Sequence, residues 1–307
     1  MANILITNIC NQKCSYCFAE NEFQKKKTEM SFNDFKKALS FLKKSGDNKV
    51  RLMGGEPTLH SQFKKIVDYS LKNKFSVQVF TNGVFSAQMV NFLVEKKDNI
   101  KYSFNINPPN FYPKTTWNQV NKNLEILSPF RNTLIGSVIY QKDFNIDYLI
   151  DLAKKYSFRG ILLRAANPVI NRNNKYISLK DYPVLVKNLI RGIKQASQNK
   201  VGVGFGCGLA KKSFSETEQQ FIKDYQVVTK GWGCDGNSGR FDIGTNLSIF
   251  RCFPLSDWKT KKLSDFNSIQ EIENYFTKFM EEYQSNNFKE DFIHQGPCFS
   301  YLLNKHL

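Results

Sequence analysis

The sequence predicts an α/β protein built on one parallel sheet, with a small irregular α+β region at its carboxyl end. Over residues 1–177, apolar runs of strand length alternate with amphipathic stretches of helical period. After residue 178 this alternation stops, and glycine-rich segments carry four of the seven cysteines of the chain. We therefore expect two domains, 1–177 and 178–307, the first being an array of βα units that is either open or barrel-like.

Six strand candidates and five helix candidates alternate in the first domain. The strand candidates are NILIT (3–7), KVRLM (49–53), SVQVFT (76–81), KYSFNI (101–106), TLIGSVIY (133–140) and GILLRA (160–165). The helix candidates between them are residues 31–46, 61–73, 86–97, 115–128 and 145–157. Ser31 and Ser61 are suited to the N-cap position of a helix, and Gly46 to a C-cap. In parallel arrays of this kind, ligands bind at the carboxyl ends of the strands.

The last third of the chain has a different pattern. A long helix candidate at 178–198 leads into the glycine-rich segment VGVGFGCGL, and a second helix candidate lies near 268–287. Short segments rich in glycine and polar residues separate them. We expect this region to be too irregular to add another βα unit.

Composition narrows the class of protein. The chain has 44 basic and 27 acidic residues and a net charge of +17, but its lysines are scattered over amphipathic stretches, as in a solvated surface. No run approaches the roughly 18 apolar residues of a membrane span, and MANILITN is too short for a secretory signal. We expect a cytoplasmic protein without a membrane partner, in which reduced thiols are available for metal binding or chemistry.

Three cysteines, Cys10, Cys14 and Cys17, follow the first strand within eight positions. A structural zinc site takes four protein ligands, and His60 is a candidate for the fourth, although the spacing is not the usual pair plus pair. Three thiolates in one loop can instead bind three corners of a 4Fe-4S cubane and leave one iron open for a substrate or cofactor. The missing fourth cysteine favours the open cluster, with zinc and chance spacing as alternatives.

The segment CNQKCSYCF resembles the Cys-x-x-x-Cys-x-aromatic-Cys signature of the radical S-adenosylmethionine (radical SAM) superfamily, with Tyr16 at the aromatic position. The resemblance implies a partial (β/α)6 barrel and a 4Fe-4S cluster whose open iron chelates S-adenosylmethionine (AdoMet). One electron from the cluster then cleaves AdoMet to methionine and a 5'-deoxyadenosyl radical, which abstracts hydrogen from the substrate.

The sequence GGEP, Gly54 to Pro57, follows the second strand and resembles the turn of this superfamily that meets the methionine amino group of AdoMet. Gly54 and Gly55 allow a backbone edge to approach a ligand closely, and Glu56 can accept hydrogen bonds from an ammonium group. A GGEP sequence alone is often only a turn. Its position, about 40 residues after the cysteine loop, supports the resemblance.

Weaker matches complete the predicted AdoMet site. They are Phe18 near the adenine, Thr81 and Asn82 in FTNG at the end of strand three, Asn105 near the ribose, Ser137 on strand five and Arg164 on strand six. By position we expect the last two to point near the mouth of the barrel, with Arg164 pairing with the carboxylate of AdoMet or of a substrate. For each of these residues a purely structural role is the alternative.

The other four cysteines, Cys207, Cys234, Cys252 and Cys298, are far apart in the sequence, and four is the number that closes a cubane or a zinc site. The segment 234–252 resembles the SPASM or Twitch extensions of radical SAM enzymes. It departs from them because Leu247 stands where glycine is usual, with Asn246 before it as the residue expected to take positive φ. The resemblance implies one auxiliary 4Fe-4S cluster; zinc and four unrelated buried thiols are the alternatives.

Relatives with such extensions mostly modify peptides or proteins by oxidation or crosslinking, so we expect a peptide or protein side chain as the substrate. A small molecule, such as a sugar, aminocyclitol or nucleotide, is the alternative. Because the sequence starts directly on the first strand, we expect no N-terminal leader-binding domain, so a peptide substrate would need a separate leader-binding protein, a leader read by the barrel itself, or no leader. The resemblance implies flavodoxin or ferredoxin as reductant. Asp235, Asp242 and Tyr140 are conceivable near the mouth, but the sequence names no catalytic acid or base.

The competing class is a non-enzymatic iron-sulfur or nucleic-acid-binding protein that uses the positive charge. The chain has no basic stretch interleaved with aromatic residues of the kind that stacks on bases, so we do not expect nucleic acid as a partner.

Overall fold

One sheet organises the described part of the protein. The structure is a computed structural model, and it describes residues 2–19, 26–130, 133–229, 240–287 and 298–306. Within these ranges, ten strands form a sheet in the order β10-β9-β8-β1-β2-β3-β4-β5-β6-β7. The strands are β1 Ala2–Thr7, β2 Lys49–Gly54, β3 Ser76–Thr81, β4 Ile100–Asn105, β5 Thr133–Ile139, β6 Gly160–Ala165, β7 Gly202–Phe205, β8 Phe241–Ile243, β9 Ser248–Phe250 and β10 Lys261–Lys262.

Helices connect the strands from β1 to β7, which are parallel from each strand to the next. The described helices are α1 Phe32–Lys44, α2 Phe63–Lys72, α3 Ala87–Glu95, α4 Lys114–Leu127, α5 Asp147–Lys155, α6 Tyr182–Gln198, α7 Glu216–Asp224, α8 Ile269–Asn287 and α9 Phe299–His306. The six predicted strands are confirmed to within one residue at each end, and the α/β class is confirmed with them.

Alternation along the strands gives the sheet two different faces. On β1, Ile4 and Ile6 pack into the main hydrophobic core with residues of the surrounding helices. Leu5 points to the opposite face, where it packs with Met53 and Phe250. We call this second face the inner face, because it is the face turned away from the helix layer. The side chains that matter for function lie on it or just beyond the carboxyl ends of the strands.

Local capping agrees with the sequence at one helix and not at the next. Ser31 caps α1 by accepting a hydrogen bond from the backbone N–H of Asp34 at 3.1 Å. The prediction for Ser61 was wrong: Gln62 occupies the N-cap of α2, and the Ser61 hydroxyl donates to Glu29. Glu29 accepts from both the backbone and the hydroxyl of Ser61, which leaves Ser61 outside the helix.

The expectation that the last third adds no βα unit was wrong. Helix α6 returns the chain so that β7 pairs with β6 in parallel, from Gly160 opposite Gly202 to Leu163 opposite Phe205. Glycine has low β propensity, so the run VGVGF resembled a loop in the sequence, although its backbone continues the ladder. A Cβ atom at Gly160 would lie 2.8 Å from the carbonyl oxygen of Gly202, which explains why this pair of strands uses glycine.

At the other edge, β8 pairs in parallel with β1, and β9 and β10 continue the sheet in antiparallel fashion. Strands from residues after 177 therefore extend both edges of the sheet formed by residues 1–177. The division into two domains stays a prediction. In the turn between β8 and β9, Leu247 takes the positive φ of 60° that was expected of Asn246. Asn246 instead accepts a hydrogen bond from the backbone of Ser248. Among the described residues, none of the helices is long and apolar enough to cross a membrane.

Candidate active site

The three-cysteine loop leaves β1 at the carboxyl edge of the sheet and packs directly on the GGEP turn after β2. The backbone N–H groups of Gly55 and Glu56 donate to the carbonyl oxygens of Thr7 and Ile9, at 3.0 and 2.8 Å. A Cβ atom at Gly55 would lie 2.4 Å from the carbonyl oxygen of Ile9 and 2.7 Å from the Cβ of Cys10. A side chain at this position would therefore push the cysteine loop away.

Two of the three thiols lie beside asparagine amides. The side-chain amide of Asn82, directly after β3, lies 3.9 Å from the sulfur of Cys10. The amide of Asn107, just beyond β4, lies 3.7 Å from the sulfur of Cys14. The sequence reasoning did not name Asn107, although the strand-end position that pointed to Asn105 would have found it. Both amides can donate to a thiolate, which is the form of cysteine that binds metal.

Tyr16 joins the loop to the ends of β4 and β5. Its buried hydroxyl donates to the side-chain oxygen of Asn107 and accepts from the amide of Asn105 at 3.3 Å. Its ring stacks on Tyr140 with centroids 4.8 Å apart. Burial raises the pKa of Tyr16 well above its ordinary value, so the hydroxyl stays protonated. The ring and hydroxyl fix the loop against the mouth of the barrel.

Glu56 connects the turn after β2 with the end of β3. Its fully buried carboxylate accepts from the backbone and the hydroxyl of Thr58, from the hydroxyl of Thr81 at 2.9 Å and from the backbone of Asn82 at 2.7 Å. Burial raises the pKa of this carboxyl, and the hydrogen bonds act in the opposite direction. The carboxylate thus already has donors from the protein, and its Oε1 atom accepts three of the four bonds. Pro57 begins the short 3-10 turn Pro57–Leu59, whose residue Thr58 supplies two of the four donors.

The remaining predicted AdoMet residues divide between the two faces of the sheet. Asn105 lies at the mouth, and its side-chain oxygen is buried with no hydrogen-bond partner among the described residues. Ser137 shares its face with Ile135 and Ile139, which pack in the helix-side core. The expectation that Ser137 points near the mouth was therefore wrong. Phe18 packs partly buried against Phe253 with ring centroids 5.3 Å apart.

Arg164 points to the inner face from β6. Its neighbours Leu163 and Ala165 belong to the helix-side core, and its guanidinium lies 5.8 Å from the ring centre of Phe80. The pKa of Arg164 is lowered to about 10, chiefly by burial; Cys207 acts to raise it, and the positive charges of Arg240 and Arg51 act to lower it.

Three of the four distant cysteines lie near enough to one another to interact electrostatically. Burial, with a further contribution from Cys207, raises the pKa of Cys298 to about 11. Burial also raises the pKa of Cys252, to which Cys298 and Cys207 both contribute. The amide of Asn167 lies 3.5 Å from the sulfur of Cys207, and the hydroxyl of Ser300 lies 3.3 Å from that of Cys298. Cys234 and Asp235 lie outside the described residues.

The donor set of the cysteine loop fits an iron-sulfur cluster, although the thiols do not converge here. In the described ranges, no three His, Cys, Asp or Glu side chains are gathered in a metal-holding arrangement. Burial raises the pKa of Cys10 to about 11 and also that of Cys14, so these thiols are protonated without a metal. The fit comes from three cysteines in one loop, amide donors beside two of them, and the orphaned oxygen of Asn105 close by.

Two residues that the sequence offered for the site, His60 and Asp242, have other surroundings. Both ring nitrogens of the buried His60 are used, one with the carbonyl oxygen of Met30 at 3.0 Å and one with the backbone of Gln62 at 2.9 Å. Asp242 is fully buried on β8 and accepts from Asn3. His60 is therefore a structural residue in this fold.

Tyr140 lies at the mouth, where it borders a cavity. The cavity has a volume of about 320 Å³ and is lined by Tyr140, Gln141, Lys142, Asp143, Tyr176, Ile177 and Asp181. An ion pair between Lys142 and Asp181, with 3.3 Å between nitrogen and oxygen, closes one side. Since Tyr140 stacks on Tyr16, the cavity adjoins the cysteine loop.

Comparison with known proteins agrees with this site. Residues 4–156 match the model of the Radical SAM superfamily. The chain is 35% identical over 82 residues to an S-adenosylmethionine-dependent nucleotide dehydratase of Selenomonas ruminantium, covering 26% of this chain and 29% of that protein. It is 27% identical over 176 residues to the GTP 3',8-cyclase of Aquifex aeolicus, covering 52% of this chain and 54% of that protein. The chain thus spans about half or less of the length of these two relatives.

The fold is also that of Streptococcus suis SuiB. The crystal structure of SuiB bound to the precursor peptide SuiA has a TM-score of 0.64 and 18% sequence identity, covering 85% of this chain and 61% of that chain. At this identity the match shows the shared fold alone. The family match covers the cysteine loop, the GGEP turn and β1 to β5, and it shows that the chain carries a domain of the radical SAM superfamily and is an enzyme.

Proposed function

We propose that the enzyme cleaves AdoMet reductively and uses the resulting 5'-deoxyadenosyl radical to abstract hydrogen from a peptide or protein side chain. The observation that carries the proposal is the packing of the three-cysteine loop on the GGEP turn, where Glu56 donates its backbone N–H to Ile9 at 2.8 Å. Cys10, Cys14 and Cys17 would hold a 4Fe-4S cluster, which would supply the electron that breaks a carbon-sulfur bond of AdoMet.

The residues around this loop have distinct proposed roles. Gly54 and Gly55 hold the loop close to the turn and present a backbone edge to the methionine end of AdoMet. Asn105, whose side-chain oxygen has no partner among the described residues, accepts a hydrogen bond from the ribose. Phe18 borders the adenine, and Tyr16 holds the loop in place through Asn107 and Tyr140. Thr81 and Asn82 act through Glu56, because they bind its carboxylate.

We further propose one auxiliary 4Fe-4S cluster on Cys207, Cys234, Cys252 and Cys298. The electrostatic interactions among three of these thiols support it, since each lies close enough to another to change its pKa. Four protein ligands leave no open iron, so this cluster would transfer an electron to or from the substrate radical. Flavodoxin or ferredoxin would supply the first electron, in the cytoplasm.

The substrate class rests on the shared fold. SuiB, whose crystal structure contains a precursor peptide, matches 85% of this chain. Over 278 residues the chain is 23% identical to the radical SAM cyclopropyl synthase TigE of Paramaledivibacter caminithermalis, covering 78% of this chain and 58% of that protein. The cavity beside Tyr140 offers a polar entry next to the cysteine loop. A separate leader-binding protein is compatible with this proposal.

A nucleotide-like small molecule is the second candidate. It is favoured by the relatives named as a nucleotide dehydratase and a GTP cyclase, which match shorter parts of this chain at higher identity than SuiB does.

The test is anaerobic reconstitution of the full chain with iron and sulfide, followed by dithionite and AdoMet. We expect 5'-deoxyadenosine, measured by liquid chromatography. The variant Cys14→Ala should form none, because two cysteines in the loop cannot hold the cubane. Ser15→Ala, in the same loop with an exposed side chain, is the matched control and should retain formation. Formation of 5'-deoxyadenosine by Cys14→Ala at the wild-type rate would refute the assignment of the loop.

A further inference from the structure

Two arginines point into the barrel from strands that are far apart in the sheet. Arg51 lies on β2 between Val50 and Leu52, which both pack in the helix-side core, so its own side chain points to the inner face. Arg164 points to the same face from β6 and lies over Phe80 of β3. The positive charge of Arg51 acts on Arg164 across this face and contributes to lowering its pKa.

Neither arginine has an anionic partner in the part of the chain that the structure describes. Both are partly buried, and neither forms an ion pair or donates a hydrogen bond to a described residue. Asp242 and Asp47 act on Arg51 only at longer range, and the thiol of Cys207 is the one acidic group that acts on Arg164. Unpaired charges held away from water lower stability, so a protein retains them where a ligand supplies the opposite charge.

The surroundings of the two arginines are also positive. Arg240 acts on both of them, and its own ion pair with Asp242 has a nitrogen to oxygen distance of 3.7 Å. Arg251 donates to the backbone carbonyl of Arg240, which places a fourth guanidinium in the same region. Planar guanidinium groups bind phosphate and carboxylate oxygens in pairs, so this group of arginines has the chemistry of an oxyanion site.

The protein leaves room for these side chains. A Cβ atom at Gly206 would lie 2.8 Å from the Cγ of Arg164, so glycine there allows the arginine to lie along β7. Arg51 precedes Gly54 by three residues on the same strand, which places it about 10 Å deeper in the barrel at the rise of a strand. That depth separates Arg51 from the turn that meets the methionine end of AdoMet.

We propose that Arg51 and Arg164 form an oxyanion site inside the barrel that holds a phosphate or carboxylate group of the substrate. The site rests on the proposed function, because it assigns a charge to the substrate whose hydrogen is removed. It applies to either substrate class: a peptide would offer an acidic side chain, and a nucleotide would offer its phosphates.

The experiment measures anion binding by isothermal titration calorimetry to the full, reconstituted chain with AdoMet at saturation, so that the carboxylate of AdoMet is already bound. Inorganic phosphate is the probe in one arm and succinate in the other. We expect wild type to bind at least one of them, and Arg51→Gln and Arg164→Gln each to weaken that binding at least tenfold. Arg164→Lys, which keeps the charge, should bind better than Arg164→Gln.

Arg191→Gln is the matched control, because Arg191 lies exposed on α6 and should leave binding unchanged. In anion-free buffer the thermal midpoint of Arg164→Gln should be equal to or above that of wild type, which shows that the variant folds. The site would be overturned if wild type bound neither anion, or if both Gln variants bound the anion as tightly as wild type does. So would a result in which Arg164→Gln changes only the midpoint potential of an iron-sulfur cluster in an EPR titration.

The same variants separate this inference from the proposed function. If wild type forms no 5'-deoxyadenosine, the proposed function fails, whether or not the protein binds phosphate or succinate. If wild type forms it, and the Gln variants bind anion as well as wild type, the oxyanion site alone fails. Tighter binding of phosphate than of succinate would favour a phosphorylated substrate, and the reverse would favour an acidic side chain.

Discussion

At the scale of single residues, the site depends on how closely two backbones approach. Gly55 was predicted to let the backbone approach a ligand, and the structure shows that it also lets the turn approach the cysteine loop. The space for its missing Cβ is filled by the carbonyl group of Ile9 and the Cβ of Cys10. Both neighbours are close to the main chain and cannot rotate away. The two roles are compatible, because a loop held this close presents its thiols to whatever the turn binds.

Gly55→Ala should therefore disturb the cysteine loop before it disturbs the rest of the fold. We expect a loss of about 1 to 3 kcal/mol in the free energy of unfolding, since overpacking of a tight site costs this much. We also expect less iron per chain after reconstitution. Chemical denaturation and an iron assay measure the two effects. Gly202→Ala is the control, because its nearest contact would be 3.2 Å, and an iron content as low as that of Gly55→Ala would contradict this explanation.

At the scale of elements, Glu56 binds the ends of two strands together. Its carboxylate accepts bonds from the 3-10 turn after β2 and from Thr81 and Asn82 at the end of β3. The sequence suggested a direct contact of this carboxylate with the AdoMet ammonium. In the structure the side chain is buried with protein donors around it, so it holds in place the two segments that border the predicted site.

Glu56→Gln tests this role. The amide nitrogen of glutamine would face the donating N–H of Asn82 or the donors of Thr58 and Thr81, and one hydrogen bond would become a repulsion. We expect the free energy of unfolding to fall by about 2 to 3 kcal/mol without AdoMet, because buried hydrogen bonds to a charged group are lost. Thermal or chemical unfolding measures it.

The control for this change is Glu125→Gln, on the exposed side of α4, which should leave stability as it is. If Glu56→Gln unfolded like wild type and lost only AdoMet affinity, the carboxylate would be a ligand rather than a tie between strands.

At the scale of the whole molecule, the last third of the chain completes the sheet around the inner face. Strand β7 extends one edge and brings Cys207 beside Arg164. Strands β8 and β9 extend the other edge and bring Cys252 into the same region. The backbone of Lys175 also donates to the carbonyl oxygen of Ser15 in the cysteine loop at 2.8 Å. The proposed auxiliary site is thus built from both edges of one sheet.

Cys252→Ala should lose the proposed auxiliary cluster and keep the cluster of the cysteine loop. We expect iron to fall from about eight to about four atoms per chain, since each cubane holds four. Uncoupled formation of 5'-deoxyadenosine should continue, because the loop of Cys10, Cys14 and Cys17 is untouched. Iron analysis and chromatography of the anaerobic protein measure both.

The reciprocal control is Cys14→Ala, which should also keep about four iron atoms but form no 5'-deoxyadenosine. The proposal of an auxiliary cluster would be contradicted if the wild-type protein never bound more than four iron atoms per chain. Circular dichroism of both variants shows whether either change prevents folding.

The sequence by itself determined the six parallel strands, the position of the cysteine loop and the GGEP turn, because hydrophobic period and close motif spacing are local properties. Only the tertiary structure decided that Ser137 points to the helices, that Glu56 is enclosed by protein donors and that the glycine-rich run 202–205 is a strand. These depend on strand register and on neighbours far along the chain. The same holds for Arg51 and Arg164, which are separated by more than a hundred residues and face the same side of the sheet because of the register of their strands.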